Sequence, residues 1–450
     1  MRVSFPVSYN LLRSVRFGLL FLFLVHAVVH QAGFHAVWLD PDQLVVADQA
    51  AWMARGEFHE PFFYGQAYLL PFEAYLAVPA VWLGLDPLAA VKAVAALSFY
   101  LPWVLTTWWL GRERPWAALG VTVLFFALPL EYTLAAALPR GFITGIALAW
   151  LGLALLLRPA PAPAGAQIGW AALVGFCTGS YMSNVLMLPA LVFLPDRRRW
   201  LLAGAGLLLG YALFKALGLF YVWNPDHVVH RFPDLAFTPG YLLGNLQNPD
   251  VVVALGGLLL LGLGAGALVM RAERRDPASL AGTDGWRWVL GAAGLLLLIA
   301  LMVGNNKFAE YNAGSPFFSL YRMMLPLPLL ALLVIARWPP TGQAWRVPLW
   351  GGLALAVALA GVQLGRFVVG QERFIEAATT LEPVTRDKLR RVCKRLAQDW
   401  RRSGEPYVVL PHRDDLRAYG CHALYGVPVV QSDYERRTWL RRRFERDAAQ

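Results

Sequence analysis

Runs of about twenty apolar residues recur along almost the whole chain, and they limit its fold more than any other feature. A helix needs that length to cross the hydrocarbon core of a bilayer, where every backbone polar group must be satisfied within its own segment. Candidate runs fall at about 15–33, 68–84, 88–110, 116–134, 141–157, 168–194, 200–222, 251–270, 286–304, 323–337 and 347–365, about eleven in all. With 58% hydrophobic and only 15% charged residues, the composition lies outside the range of a soluble domain. The expected fold class is an all-α polytopic membrane protein with about 11 transmembrane helices.

The net charge of +11 does not point to a nucleic-acid partner, because the basic residues fall mainly in short loops and in the last eighty residues. Lys and Arg collect on the cytoplasmic side of short loops. That rule places the N-terminus, Arg197 to Arg199, the run Arg271 to Asp276 and the loop Arg337 to Arg346 inside. The first loop (34–67), the loops 223–250 and 305–322 and the tail after Arg366 are then extracytoplasmic. Simple counting puts Arg112 and Arg114 outside; the fit improves if 68–84 is a helix that does not cross and 168–194 is two short helices broken around Gly179 to Asn184, and both versions leave every later loop on the same side. The first apolar run follows Arg2, Arg13 and Arg16 without a convincing small-residue cleavage site and is read as a retained helix.

Two parts are expected: a membrane domain over 1–365 and a small soluble extracytoplasmic α/β domain over 366–450. In the second, an amphipathic helix is expected from Arg386 to Arg402, apolar runs at Tyr407 to Leu410 and Val427 to Val430, and a basic helix near Tyr434 to Arg446. The segment RPAPAPAGAQ (158–167) reads as a stiff, extended connector. Cys177, Cys393 and Cys421 supply no four-ligand zinc spacing, and the outer compartment permits a Cys393–Cys421 bridge.

The first loop carries the densest chemistry. Asp40, Asp42 and Asp48 stand among Trp38, Leu44, Val45, Val46, Trp52 and Met53, where burial can poise a carboxylate as a general base. The plain alternative is a set of solvated loop residues. Phe62 to Tyr68 then combine aromatic faces, a glycine and an amide, a mixture suited to a sugar ring; an interfacial aromatic belt is the competing reading.

This stretch, from Asp42 through Met53 to Gly56 and Phe62 to Tyr68, resembles the first extracytoplasmic loop of the GT-C superfamily of polyprenyl-phosphate-sugar-dependent glycosyltransferases. Within it the likeness is to bacterial membrane proteins similar to dolichyl-phosphate-mannose mannosyltransferases. In that family an Asp, usually in an Asp-Glu pair, opens the loop about fourteen residues before a glycine, and counting back from Gly56 reaches Asp42. Gln43 stands where the second acid would be, so metal assistance by Mg²⁺ or Mn²⁺ is left open and no metal ligands are assigned. Ser319 to Pro326 is similar to the family's Arg-Tyr-x-x-Pro-like stretch, with Arg322 suited to a phosphate by its multi-donor fork.

The resemblance implies a membrane glycosyltransferase of the cell envelope. It would move a sugar from a polyprenyl-phosphate donor to an acceptor hydroxyl on a glycan, lipid or protein, on the outer side of a bacterial plasma membrane, inverting the anomeric centre. Asp42 is then the base, and Arg322 and Lys307 hold the donor phosphate. Gln43, Asp48, Tyr64, Gln66, Tyr68 and Arg140 line the substrate site. The other class considered is a transporter or flippase of a lipid-linked glycan, with Arg322, Lys215 and Arg140 along its path; inverted repeats expected of such a protein are not apparent. His26 and His30, one helical turn apart, read as polar packing ahead of a metal face. No Walker-type phosphate loop, HExxH or Gly-x-Ser-x-Gly is present.

Overall fold

The computed structural model describes residues 9–35, 38–39, 41–64, 68–130, 132–133, 141–158, 160, 162–225, 227, 237–249, 251–252, 255–256, 285–306, 323–337, 349–378, 384–410, 415–431 and 444–445. The fold is helical. In chain order the helices are α1 (Tyr9–His30), α2 (Pro41–Ala54), α3 (Phe72–Trp82), α4 (Pro87–Glu113), α5 (Pro115–Ala127), α6 (Ile143–Leu156) and α7 (Ala164–Ser180). After a 3-10 segment (Met182–Phe193) come α8 (Arg197–Leu217), α9 (Leu219–Trp223), α10 (Pro239–Gln247), α11 (Gly285–Val303), α12 (Pro326–Arg337), α13 (Leu349–Ala378), α14 (Arg386–Ser403) and α15 (Asp415–Tyr425).

Among the described residues four helical stretches are long and apolar enough to cross a membrane: Arg13–Gly33, Pro87–Arg112, Arg197–Trp223 and Gly351–Val369. Their outer faces are apolar as well. Leu97, Leu101, Leu105 and Trp109 form an exposed stripe at four-residue spacing on α4, and Phe17, Phe21, Leu24 and Val28 form another on α1. Apolar stripes on that scale, turned away from the core, are stable against lipid and costly in water.

The polar residues at helix ends sort to two ends of this bundle. At one, the Arg16 guanidinium lies 4.0 Å from the Trp108 ring centroid and that of Arg112 5.4 Å from the same centroid. The start of α1 therefore meets the end of α4. Arg114 donates to the carbonyl of Ile335 near the end of α12, Arg199 to that of Arg158 after α6, and Arg287 to that of Pro195 after the 3-10 segment. Since α1 and α4 run in opposite senses and α3 has only 11 residues, about 16 Å of helix, α3 is too short to be an intervening pass. The run 168–194 divides at Tyr181 into α7 and the 3-10 segment.

Close helix contact explains several glycines. A Cβ on Gly210 of α8 would collide with the Ala172 carbonyl of α7, and one on Gly175 with the Leu207 carbonyl, so only small residues allow this pair to approach. The connector departs from the sequence expectation at its end: α7 already begins at Ala164, after an N-cap at Pro163, because Pro is compatible with a helix start and Ala favours its continuation.

At the opposite end lies a second layer with its own core. The first loop is not open chain there, since 41–54 forms α2, which begins with Pro41 and Asp42 in its first turn, a favourable helix start. Leu44, Val46, Ala47 and Ala50 of α2 pack with Leu88 and Val91 of α4 and with Leu389, Ala418 and Val427 of the C-terminal segment. α13 runs without a break through 366 to Ala378. The segment beyond it is held to the layer in three ways. β1 (Trp38–Leu39) pairs antiparallel with β2 (Val384–Thr385), Asp86 at the start of α4 meets Arg386 at 3.0 Å and Arg390 at 3.6 Å, and α15 lies on α2. Within that segment β3 (Val408–Leu410) pairs parallel with β4 (Val429–Gln431), and Cys393 of α14 is disulfide-bonded to Cys421 of α15. The basic helix expected near Tyr434 to Arg446 lies outside the described residues except for Phe444 and Glu445.

Candidate functional site in the helix layer

Positions 43 to 52 of α2 are all buried, because α3 and α4 cover one side and α15 the other. A carboxylate in such a helix survives only with a partner, as desolvating an isolated charge costs several kcal/mol. Asp48, with no exposed surface, meets Nδ1 of His422 from α15. Nε2 of the same ring lies 3.0 Å from Nη2 of Arg55. A guanidinium only donates, so Nε2 is the acceptor and the imidazole proton sits on Nδ1, directed at Asp48. Trp52 stacks on His422 with centroids 4.2 Å apart, and the Arg55 guanidinium lies 4.3 Å from the Trp52 centroid. The neighbouring Cys421 carries the disulfide, so α15 is tied to α14 next to this contact.

Beyond Trp52 the chain turns at Gly56, whose φ of 82° favours glycine, and folds back beneath α3. Between this return and α3 lies a cleft of about 220 Å³, lined by Gln49, Trp52, Glu57, His59, Glu60 and Tyr75, with Met53, Phe58, Tyr64 and Pro71. The buried Glu60 carboxylate accepts from the Tyr221 hydroxyl at 2.7 Å, and Tyr75 donates to the Pro61 carbonyl at 2.6 Å. Burial first, and then the charge of Glu60, push the Tyr75 phenol well above its usual value. Glu57 and His59 approach to 3.8 Å.

A second, apolar cleft of about 400 Å³ opens in the helix bundle among Ser98, Phe99, Trp103, Tyr132, Ile146 and Leu329, between α4, α6 and α12. The layer and the bundle meet at Glu73 of α3. This fully buried side chain accepts from the Thr144 amide at 3.0 Å, at the start of α6, and burial raises its carboxyl above the ordinary range.

Of the residues singled out in the sequence, Asp42 sits half-buried on the first turn of α2 and does not line the 220 Å³ cleft. Gln43 is buried in the layer, Asp48 is committed to His422, Tyr64 lines the cleft with its ring 5.9 Å from Tyr419, and Tyr68 is exposed. Gln66, Arg140, Lys307 and Arg322 lie outside the described residues, as does Asp40. Lys215 of α8 lies near the rings of Tyr211 and Phe214. His26 and His30 stack on each other with centroids 4.0 Å apart, and His26 Nδ1 meets the Tyr100 hydroxyl at 2.7 Å. Among the described residues no three His, Cys, Asp or Glu gather as a metal-ligand group.

Sequence reasoning missed Arg55, His422, Glu57, His59 and Glu60. His422 is 374 residues from Asp48 and no local pattern connects them. The alternation of acid and histidine in Glu57, His59 and Glu60, just after a glycine turn, was the available signal for the cleft. No family model matches this chain, and neither a curated protein nor a solved structure matches it.

Proposed function

We propose that the chain is a membrane glycosyltransferase that moves a sugar from a polyprenyl-phosphate to an acceptor hydroxyl on the extracytoplasmic side, with inversion. The observation that carries this reading concerns the two carboxylates of α2. Asp48 is enclosed and bound to His422, whereas Asp42 is half-buried at the helix start, where an acceptor can reach it.

In the reaction Asp42 takes the proton of the acceptor hydroxyl as that oxygen forms a bond to the anomeric carbon. The bond from that carbon to the phosphate oxygen breaks, and its electron pair leaves with the phosphate. Arg322 and Lys307 hold the departing phosphate, and Tyr64, Gln66, Tyr68 and Arg140 shape the sugar site, whereas Gln43, buried in the layer, is dropped from it. Asp48 acts at one remove, by fixing α15 to α2. The apolar lining of the cleft between α4, α6 and α12 suits contact with an isoprenoid chain.

Membrane orientation belongs to the same proposal. The helix ends marked by Arg16, Arg112, Arg114, Arg199 and Arg287 face the cytoplasm of a bacterial cell, and the α2 layer with its C-terminal segment faces outward. The disulfide supports an oxidising compartment for that layer. About eleven crossings belong to the same proposal: α3 is removed from the count, 168–194 contributes two, and 251–270, most of which lies outside the described residues, is taken as a pass from its hydropathy.

The test is transfer from radiolabelled polyprenyl-phosphate sugars by purified, reconstituted protein. Asp42→Asn should lower the rate by about 10²–10⁴-fold, the usual contribution of a general base. Transfer at the normal rate by that variant removes the assignment of the base, and absence of transfer from every donor by the unmodified protein removes the enzyme reading.

A further inference from the structure

α14 carries a charge pattern that neither the transfer reaction nor the packing of the layer uses. Its 18 residues hold eight Lys or Arg against two Asp, Asp387 and Asp399. Leu389, Cys393 and Ala397 form its buried stripe, and the charges lie on the remaining faces. Arg386 and Arg390, one turn apart, both reach Asp86, which caps the start of α4 by accepting from the Ala89 amide at 3.0 Å. Lys394 continues their row by one more turn and is exposed. Around it Arg391, Arg395, Arg401 and Arg402 are exposed as well, and among the described residues none of these five cations forms an ion pair. Arg391 and Arg395 stand one turn apart, where like charges destabilise a helix, and an anion against them relieves that repulsion.

The length of α4 fixes which anion is at hand. Its apolar span, Pro87–Arg112, has 26 residues, about 39 Å of helix against about 30 Å of hydrocarbon. With Arg112 at one boundary of the bilayer, Asp86 and the two arginines on it stand at the headgroups of the other. The turn that leads into α4 has matching chemistry: Trp82, Leu83 and Leu85 are exposed, and the Trp82 indole donates to the Ala54 carbonyl at 2.8 Å. Large apolar side chains turned outward at that depth are favourable at a lipid interface and costly in water. A cationic helix and an apolar turn therefore meet at Asp86. A dissolved polyanion would use the charges alone, whereas a lipid surface uses both.

We propose that α14 and the 82–85 turn form a docking surface for anionic phospholipid headgroups of the surrounding leaflet. Phosphate oxygens lie against Arg391, Lys394 and Arg395, while Trp82, Leu83 and Leu85 enter the boundary with the acyl chains. Guanidinium forks suit phosphate oxygens, and each basic residue near an anionic surface adds its own increment of binding. Bound lipid holds the C-terminal segment, and with it α15 on α2, against the bilayer. The inference rests on the chain spanning a membrane and is independent of sugar transfer.

The experiment is hydrogen exchange of α14 amides in the full-length protein, held at low salt in nanodiscs of phosphatidylcholine alone or with phosphatidylglycerol. Phosphatidylglycerol should slow exchange in α14 by about 10²-fold, about fivefold for each of the three docked charges. Most of that effect should fade when salt is raised to about 1 M, where the screening length falls to about 3 Å. The triple variant Arg391→Gln, Lys394→Gln, Arg395→Gln should lose the slowing, with little change in phosphatidylcholine. Leu83→Ser leaves every charge in place and should lose part of it, which keeps the test valid if the triple variant does not fold. Equal exchange in the two lipids overturns the proposal, as does slowing of the triple variant as large as that of the unmodified protein. Inorganic polyphosphate added to phosphatidylcholine nanodiscs is the probe for a dissolved polyanion. Protection of α14 by it that matches phosphatidylglycerol and is unchanged in Leu83→Ser also overturns a lipid surface. Sugar transfer without a lipid effect on α14 refutes the docking surface alone; a lipid effect without sugar transfer refutes only the transferase.

Discussion

His422→Ala and Asp48→Ala remove opposite halves of one buried contact and should have unequal effects. Replacing His422, which is 4% exposed, leaves the Asp48 carboxylate enclosed in the layer without its imidazole, a loss of about 3–5 kcal/mol. It also removes the stacked ring on Trp52, worth about 0.5–1.5 kcal/mol. The sum is about 3.5–6.5 kcal/mol. Replacing Asp48 leaves a neutral ring that still accepts from Arg55, and the cost is one hydrogen bond to a charged group, about 1.5–3 kcal/mol. Because the C-terminal segment contributes α15 to this contact, local opening of α15 is the quantity to follow. Hydrogen exchange of α15 amides in the solubilised protein measures it, with every 1.4 kcal/mol appearing as about tenfold faster exchange. His422→Ala should therefore speed exchange by about 10³-fold or more and Asp48→Ala by about 10–100-fold. Adding Asp48→Ala to His422→Ala should restore about 2 kcal/mol, since it removes the stranded charge. Equal losses in the two single variants, or losses below about 1 kcal/mol in both, would refute a buried ion contact as the clamp.

Three other outcomes follow from the same geometry. Gly210→Ala should lower the thermal midpoint of the solubilised protein and cost about 1–3 kcal/mol of overpacking, because α7 and α8 have no room for a Cβ there. Glu73→Gln should stabilise the protein at neutral pH. The folded carboxyl titrates above the unfolded one, so the protonated form suits the fold and stability falls as pH rises through and beyond the ordinary glutamate value; thermal midpoints measured across that range should diverge upward from about pH 5 and coincide below it. Reduction of Cys393–Cys421, which closes a 28-residue separation, should cost about 3–4 kcal/mol within the C-terminal segment and raise its sensitivity to protease, with little effect on the bundle.

The bundle was largely legible in the residue pattern. Apolar runs at 88–110, 200–222 and 347–365 correspond to α4, to α8 with α9, and to α13, because hydropathy over twenty residues is a local property. The run 68–84 was an ambiguous candidate, since Arg112 and Arg114 fit the inside better without it as a pass; in the structure Arg16 and Arg112 meet over Trp108 and α3 has 11 residues. The amphipathic stretch from Arg386 to Arg402 is α14, and the apolar runs after it contain β3 and β4. The first loop was harder to read. Its 43–52 stretch is buried on every side and has no helical stripe of polarity, so the pattern that signals a surface helix is absent from α2.

What the order of amino acids settles for this protein is what hydropathy and charge express over one or two dozen residues: a helical chain suited to a bilayer, with a charged segment at its end and an acidic, aromatic loop after its first helix. Which carboxylates of that loop stay within reach of a ligand is a matter of long-range packing. Asp42 and Asp48 are chemically alike and six residues apart on one helix, and the difference between them arises because α15, far away in the chain, brings His422 onto the enclosed Asp48, while Asp42 at the helix start stays half-buried. The same folding back places Glu57, Glu60 and Gln49 around one cleft. Burial and distance between remote segments create both environments, and neither quantity is carried by any short stretch of residues.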